Sequence, residues 1–253
     1  MIDLNEAIDV FVHCIAFGRA VYRPCEALRV GTFWLVHDTC SGKGVARSDE
    51  WVVPATSTIT AIQQAVAEHT GSRAHRLCAA GTDAAVLQEL KPQLIGAGYR
   101  YRRSEPVMAL KTTGYKGRPP LHESIRVQSP AQADALNRAT HARQVLPDHL
   151  DVSPPAVRAY YSLKQGEVAG FVRCISISPT VSYVAGVETF KQYRRTGIAT
   201  DLMNAMIADD CTMGLPTSIL VASRAGELLY TTLGYHTIGY LHVYSQQRTP
   251  MNV

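Results

Sequence analysis

The sequence contains no apolar run approaching the ~20 residues that a membrane-spanning helix needs. Nor does its start resemble a secretory leader, which has a basic head and an unbroken apolar stretch. Residues 1–19 instead mix Asp3, Glu6, Asp9 and His13 into the apolar pattern. Close cysteine pairs are missing too: Cys14, Cys25, Cys40, Cys78, Cys174 and Cys211 are scattered without a CxxC spacing. That spacing argues against a thiol-rich metal site or a redox dithiol. The expected location is therefore the cytoplasm, with no metal and no membrane partner. A concentrated charge of one sign is absent as well, the formal net charge being +4. The densest basic cluster, Arg100, Arg102 and Arg103, falls in an expected strand and reads as a solvated face. Nucleic acid is not an expected partner.

What remains is globular. Hydrophobic residues make up 46% of the 253 positions and charged residues 18%, enough for one large domain or two modest ones with buried cores. The first half alternates helix and strand patterns. Leu4, Ile8, Phe11, Val12 and Ile15 recur at helical spacing behind Asp3, an N-cap type, and predict a helix over 4–17. Strands are expected over 28–36 and 51–53, near Leu77 and over 99–110. Helices are expected over 57–69 and 83–95. Gly114, Gly117, Pro119 and Pro120 then crowd together, with Lys116 and Arg118 between them. This composition predicts a linker at 114–122 between domains at 1–113 and 123–253. The second half predicts a strand at 124–128, helices at 130–143 and 153–161, and a hairpin of strands 167–177 and 181–190. A helix at 197–210, a strand at 217–222, a helix at 225–233 and a last strand at 235–245 complete it.

The chemistry concentrates after the hairpin. In Val187-Glu-Thr-Phe-Lys-Gln-Tyr-Arg-Arg-Thr-Gly-Ile-Ala199, a strand enters a basic, glycine-bearing turn that opens a helix. The first turn of a helix has unpaired N–H groups and a partial positive charge, so it suits a pyrophosphate. Gly197 permits close approach, Ala199 keeps the entrance narrow, and Arg194 and Arg195 supply charge-assisted contacts. Further on, strand 218–222 leads into Gly226-Glu-Leu-Leu-Tyr-Thr-Thr-Leu-Gly-Tyr235.

Arg194-Arg195-Thr196-Gly197-Ile198-Ala199 resembles the Q/R-x-x-G-x-G/A turn of the GCN5-related N-acetyltransferase (GNAT) superfamily. The segment 226–235 is similar to the A-x-x-L-Y-x-x-x-G-F segment of that family, with Leu229, Tyr230 and Gly234 matching and Tyr235 in place of the usual aromatic. The two motifs stand in the family's order, and the resemblance covers residues 124–245. It implies an α/β fold with a mixed, mostly antiparallel sheet flanked by helices, and splayed strands 4 and 5. It also implies acyl transfer from acetyl-CoA to an amine by direct attack. On this resemblance, Val187 and Thr189 would hold the pantetheine arm through their backbones, and Arg194 through Thr200 would hold the diphosphate. Tyr230 would serve the departing thiolate. Ser223 stands where many relatives have Asn, which leaves its contact with the pantetheine less assured; Lys191 replaces a proline before the turn.

A base is needed to take the proton of the amine. Glu188 is the carboxylate nearest the wedge, in an otherwise apolar strand whose burial would raise its pKa. Strand alternation leaves open that it points elsewhere, and Tyr183 is a second candidate. His141, Arg143 and His149 fall where relatives shape the acceptor pocket. The first half lacks a phosphate turn, since Gly42-Lys43-Gly44 does not meet Walker spacing. Its Ala97-Gly-Tyr-Arg100 echoes Leu233-Gly-Tyr-His236, as expected of a smaller, degenerate tandem copy of the same fold. The expected partners are a small-molecule amine and a second copy of the chain as a homodimer. Three alternatives stay open: a longer acyl-CoA or carrier-protein thioester as donor, a protein amine as acceptor, and a non-catalytic acyl-CoA sensor.

Overall fold

The computed structural model describes residues 2–39 and 49–246, so the segment around Lys43 lies outside the described residues. Helix α1 (Leu4–Ala20) begins at a capping box in which Asp3 accepts from the Glu6 amide and Glu6 accepts from that of Asp3. Its apolar stripe, Leu4, Ala7, Ile8, Phe11 and Val12, is buried. The apolar stretch 28–36, expected as one strand, is the turn of a hairpin. Strand β1 (Cys25–Val30) pairs antiparallel with β2 (Phe33–Asp38), and the chain reverses at Gly31, whose φ is +58°. The unbroken apolar sequence hides the reversal, which only the glycine marks.

Strand β3 (Asp49–Pro54) is joined through helix α2 (Ile59–His69) to a parallel neighbour, β4 (His75–Gly81). Helix α3 (Ala84–Gly96) leads to the long strand β5 (Tyr99–Lys111). Trp51, Ile62, Leu77, Leu87 and Leu94 form the centre of the core here. Beside it, buried Asp49 accepts from Nδ1 of His37 at 3.0 Å and from the Thr70 hydroxyl at 3.0 Å, and pairs with Arg73. Arg73 donates to the other ring nitrogen of His37, which fixes that imidazole as the Nδ1–H tautomer.

The second half runs β6 (Ile125–Arg126), α4 (Pro130–Thr140), a 3-10 turn at Pro147–His149, β7 (Val157–Lys164), β8 (Glu167–Ile175) and β9 (Val181–Thr189). Helix α5 (Ile198–Thr212), β10 (Thr217–Val221), α6 (Glu227–Thr232) and β11 (His236–Gln246) follow. The helix expected over 153–161 is absent, because Val157 begins strand β7. Both faces of β7 are covered, so six consecutive residues from Val157 to Ser162 are buried, Arg158 and Ser162 among them, and the sequence lacks the alternation that marks a half-exposed strand. Under the C-terminal half of α5 lies a buried polar knot. Arg158 pairs with Asp210, which also accepts from Ser182, while Tyr160 and Arg126 both donate to Asp209.

Contacts divide the chain into two units, but not at the glycine-proline segment. One holds Asp3–Val107 together with Ala222–Arg224 and the strand that continues from Thr237; the other holds Met108–Val221 and Ala225–His236. Among the described residues the strand order is β1-β2-β3-β4-β11-β5 in the first, and β5-β10-β9-β8-β7-β6 in the second, which receives the end of β5. The pairs β1–β2, β2–β3, β4–β11, β6–β7, β7–β8 and β8–β9 are antiparallel, and β3–β4 and β9–β10 are parallel. The expected linker is therefore part of the second unit, and the expected last strand of the second half completes the first. The same order of elements recurs along the two halves of the chain: a parallel strand pair bridged by a helix, a second helix, and a long strand. α3 and α6 are followed by Gly98 and Gly234, with φ +86° and +91°. The buried tyrosines that come next bond to the second strand of their own parallel pair. Tyr99 reaches His75 Nε2 at 2.8 Å, and Tyr235 reaches the Ser218 hydroxyl at 2.7 Å.

Candidate active site

Strands β9 and β10 are registered only from Val181–Thr217 to Tyr183–Ile219. Beyond that point β9 runs on to Thr189 without β10, while β8 stays paired with it to the end. A wedge thus opens between two parallel strands. At its mouth β9 carries a bulge: Cys174 faces Val184 but Arg173 faces Gly186, so Ala185 is the extra residue. A bulge adds twist and turns a strand away from its neighbour. Alternate amides of a strand point to opposite edges. The Phe190 amide donates to Ala169 on β8, so the amides of Val187 and Thr189 face the wedge. The two residues expected to hold a pantetheine by their backbones thus present them at the open edge. The Thr189 carbonyl already accepts from Arg194 Nε at 3.1 Å.

After β9 the chain makes a 3-10 turn at Lys191–Tyr193 and enters α5 through two left-handed residues, Arg195 (φ +64°) and Gly197 (φ +91°). Thr196 closes the turn by donating its hydroxyl to the Tyr193 carbonyl at 2.7 Å. Helices α1, α2, α3 and α4 each start under a side-chain cap, from Asp3, Thr58, Asp83 and Ser129. α5 starts at Gly197 with none. Its first amides, from Ile198, Ala199 and Thr200, remain as donors at the positive end of the helix. The side chain of Ile198 is core, 1% exposed, so what it offers a ligand is its amide. Arg194 and Arg195 are exposed beside the turn. Gly170 on β8 fixes the depth of the turn. A Cβ there would stand 2.7 Å from the Glu188 carbonyl and 3.2 Å from Ile198.

Tyr230 lies on α6, its ring 5.9 Å from that of Tyr235 at a steep angle. Burial raises its pKa to about 12. Residues 125–235 match the model of the acetyltransferase (GNAT) family. This part of the chain belongs to the GNAT family. The chain is thereby an enzyme of the acyltransferase type, in a family of acyl-CoA-dependent N-acyltransferases. Solved structures agree in fold. A GCN5-related N-acetyltransferase from Kribbella flavida is 16% identical with TM-score 0.62, over 96% of both chains. Another from Sphaerobacter thermophilus is 16% identical with TM-score 0.56, over 96% of this chain and 92% of its own. A tandem GNAT protein from the clavulanic acid biosynthesis pathway is 11% identical with TM-score 0.53, over 98% and 97%. No curated protein matches the sequence.

Within the GNAT domain the expected catalytic carboxylate departs from its premise. Glu188 is exposed, on the face of β9 that it shares with Phe171 across the β8 pairing, so the strand does not bury it. Gly170 faces Ile198 of α5 and pairs with Thr189, so Glu188, the next residue in register, points to the opposite face of the sheet. Tyr183 is half-buried where β9 and β10 part. Ser223 is exposed; it falls within the matched residues 125–235, although contacts group Ala222–Arg224 with the other unit.

Of the three residues expected near the acceptor, His141 lines an open cavity of about 540 Å³. Arg138, Glu167, Phe190 and Gln192 line it too. His149 is held in its own turn, its Nδ1 accepting from the Leu146 amide at 3.2 Å, and burial and Arg173 lower its pKa. Sequence patterns missed Arg118 and Asp201. Arg118 reaches Asp201 at 2.9 Å beside Gly197, inside the segment taken for a linker. The signal was available only in part, as a carboxylate in the first turn of a helix whose start calls for an anion.

Proposed function

We propose that the GNAT domain transfers an acetyl group from acetyl-CoA to the amine of a small molecule by direct attack. The observation that carries this is the loss of β9–β10 pairing after Tyr183, which leaves an open strand edge leading to α5, a long helix that starts without a side-chain cap. The edge offers the Val187 and Thr189 backbones to a pantetheine, as a third strand would. The helix offers its first amides, with Arg194 and Arg195 beside them, to a diphosphate. Ser223 is a further pantetheine contact on the resemblance alone.

The chemistry requires little beyond placement. The amine nitrogen attacks the thioester carbonyl, the carbonyl re-forms, and the C–S bond breaks to release thiolate. Glu188 is our candidate base. Being exposed, it would take the proton of the amine at the solvent side, directly or through water. Tyr230 is the candidate donor to the thiolate. The cavity beside His141 and Glu167 is the candidate acceptor site, its carboxylate suited to a cationic amine. We read the N-terminal half as a degenerate copy of the domain. The hydroxyl of Thr58 accepts from the Ala61 amide at 3.3 Å and so occupies a donor that the corresponding helix α5 leaves open.

Calorimetry with acetyl-CoA, longer acyl-CoAs and CoA, followed by thiol release with a panel of small amines, tests the proposal. Binding of acetyl-CoA and amine-dependent release of CoA are expected. Tight binding without release across the panel would favour a sensor, and preference for longer chains would replace the donor.

A further inference from the structure

The segment after β5 is a strap laid along α5. Its start is fixed by Thr112, whose amide donates to the Pro216 carbonyl at 3.0 Å. Next, Tyr115 donates its hydroxyl to Asn204 at 2.6 Å, and Gly117 packs so tightly on Asn204 that a Cβ would lie 3.0 Å from it. At the helix start, Asp201 takes hold. Its Oδ2 accepts from the amides of Leu121 and His122 at 3.2 and 3.0 Å, and its Oδ1 lies 2.9 Å from Arg118. His122 then donates through Nε2 to the Thr196 carbonyl at 2.7 Å, in the phosphate turn itself.

The Asp201 side chain is 0% exposed, and a buried carboxylate must be paired. It also sits in the first turn of the helix proposed to receive a diphosphate, where an unneutralised negative charge would oppose the ligand. Arg118 removes that conflict and still has donors to spare. Its guanidinium has five N–H groups. Among the described residues it contacts Asp201 and the Pro119 carbonyl, the latter at 3.3 Å, and the side chain is 37% exposed. One of its terminal nitrogens would lie 3.1 Å from a Cβ on Gly197, beside the glycine that lets a ligand approach.

We infer that Arg118 is a third phosphate-binding residue, delivered by the strap from outside the turn motif, and that Asp201 is the positioning residue that aims it. The inference rests on the acyl-CoA reading above. Two sources of phosphate are open to it, the diphosphate and the 3′-phosphate of the nucleotide. Proximity to Gly197 favours the diphosphate.

The test is calorimetry of the full chain with CoA, dephospho-CoA and pantetheine. Arg118→Ala should raise the Kd for CoA and dephospho-CoA about tenfold or more, as expected for a lost hydrogen bond to a charged group. It should also flatten the salt dependence and leave the Kd for pantetheine unchanged. Loss with CoA alone would move the contact to the 3′-phosphate and overturn the diphosphate assignment. Asp201→Asn alone should also raise the Kd for CoA, and by much less in the Arg118→Ala background, where no guanidinium is left to aim; equal losses in both backgrounds would overturn the positioning role. Equal CoA affinity of Arg118→Ala and wild type, or equal losses with pantetheine, would overturn the inference alone. A wild type that binds neither nucleotide would overturn the acyl-CoA reading as well.

Discussion

Tyr230 has the wrong pKa to be a proton donor in the full sense. Burial takes it to about 12, whereas a thiol ionises near about 8.5. Complete transfer to a thiolate would run uphill by roughly three units, or about 4–5 kcal/mol. A hydroxyl that stays protonated can nevertheless donate a hydrogen bond to sulfur as charge builds there, and this is the role we assign it. Tyr230→Phe should lower kcat about 10- to 100-fold with the KM for the donor within about twofold, since a hydrogen bond to a charged group contributes ~1.5–3 kcal/mol. Steady-state kinetics decides this, and the pH profile adds a second check. Because the folded pKa is raised, the donor form persists through pH 10, so the wild type and the variant should show the same alkaline limb up to that pH. Equal kcat values would remove Tyr230 from the reaction. The residue was legible in the sequence because its neighbours Leu229 and Gly234 keep a fixed spacing. Glu188 was legible as a carboxylate but not in its exposure, which depends on the face that register with β8 imposes.

Local elements were legible wherever their determinants are local. The caps at Asp3, Thr58, Asp83 and Ser129 lie next to the helices they start, and the hairpin of β8 and β9 follows from two apolar runs around Ser178-Pro179-Thr180. Failures came where partners are distant. Val157 to Tyr161 looks helical until both faces of β7 are covered, and the glycine-proline strap looks loose until Asp201 captures its amides. Gly170 belongs to the same group, an unremarkable glycine in sequence that turns out to set how closely α5 and β9 approach β8. Gly170→Ala should cost about 1–3 kcal/mol of stability, as overpacking does, because backbone at Glu188 must yield. Thermal melts would measure that loss. Acetyl-CoA binding should weaken alongside, since the same displacement reaches the wedge edge at Thr189. An unchanged melting temperature would mean that the strands give way freely and that Gly170 does not set the depth of the turn.

The whole molecule carries two histidines whose pKa is lowered, one in each unit. Burial and Arg173 depress His149, and burial and Lys91 depress His242. For such a group the neutral form is favoured by folding, so its stabilising effect is complete above the unfolded value of about 6.5 and is lost as pH falls toward the lower folded value. The melting temperature should therefore decline between pH 7 and pH 5, and a His149→Asn/His242→Gln double variant should show a shallower decline. Equal slopes would assign the acid sensitivity to other groups. The echo of Ala97-Gly-Tyr-Arg100 and Leu233-Gly-Tyr-His236 holds in local conformation, since both glycines are left-handed and both tyrosines are buried. The true boundary was not visible, because strand pairing between segments far apart in sequence leaves no trace in composition.

That pairing limits how the protein can be dissected. The Thr112 amide donates to the Pro216 carbonyl and the Ala222 amide to the Pro106 carbonyl, so β5 lies against the full length of β10. A fragment beginning at the glycine-proline segment would retain every motif of the transferase yet leave β10 with a bare edge, open to unwanted strand addition. The donor-binding machinery we propose thus depends on chain that precedes it, and the shortest active fragment is expected to be longer than the motifs alone.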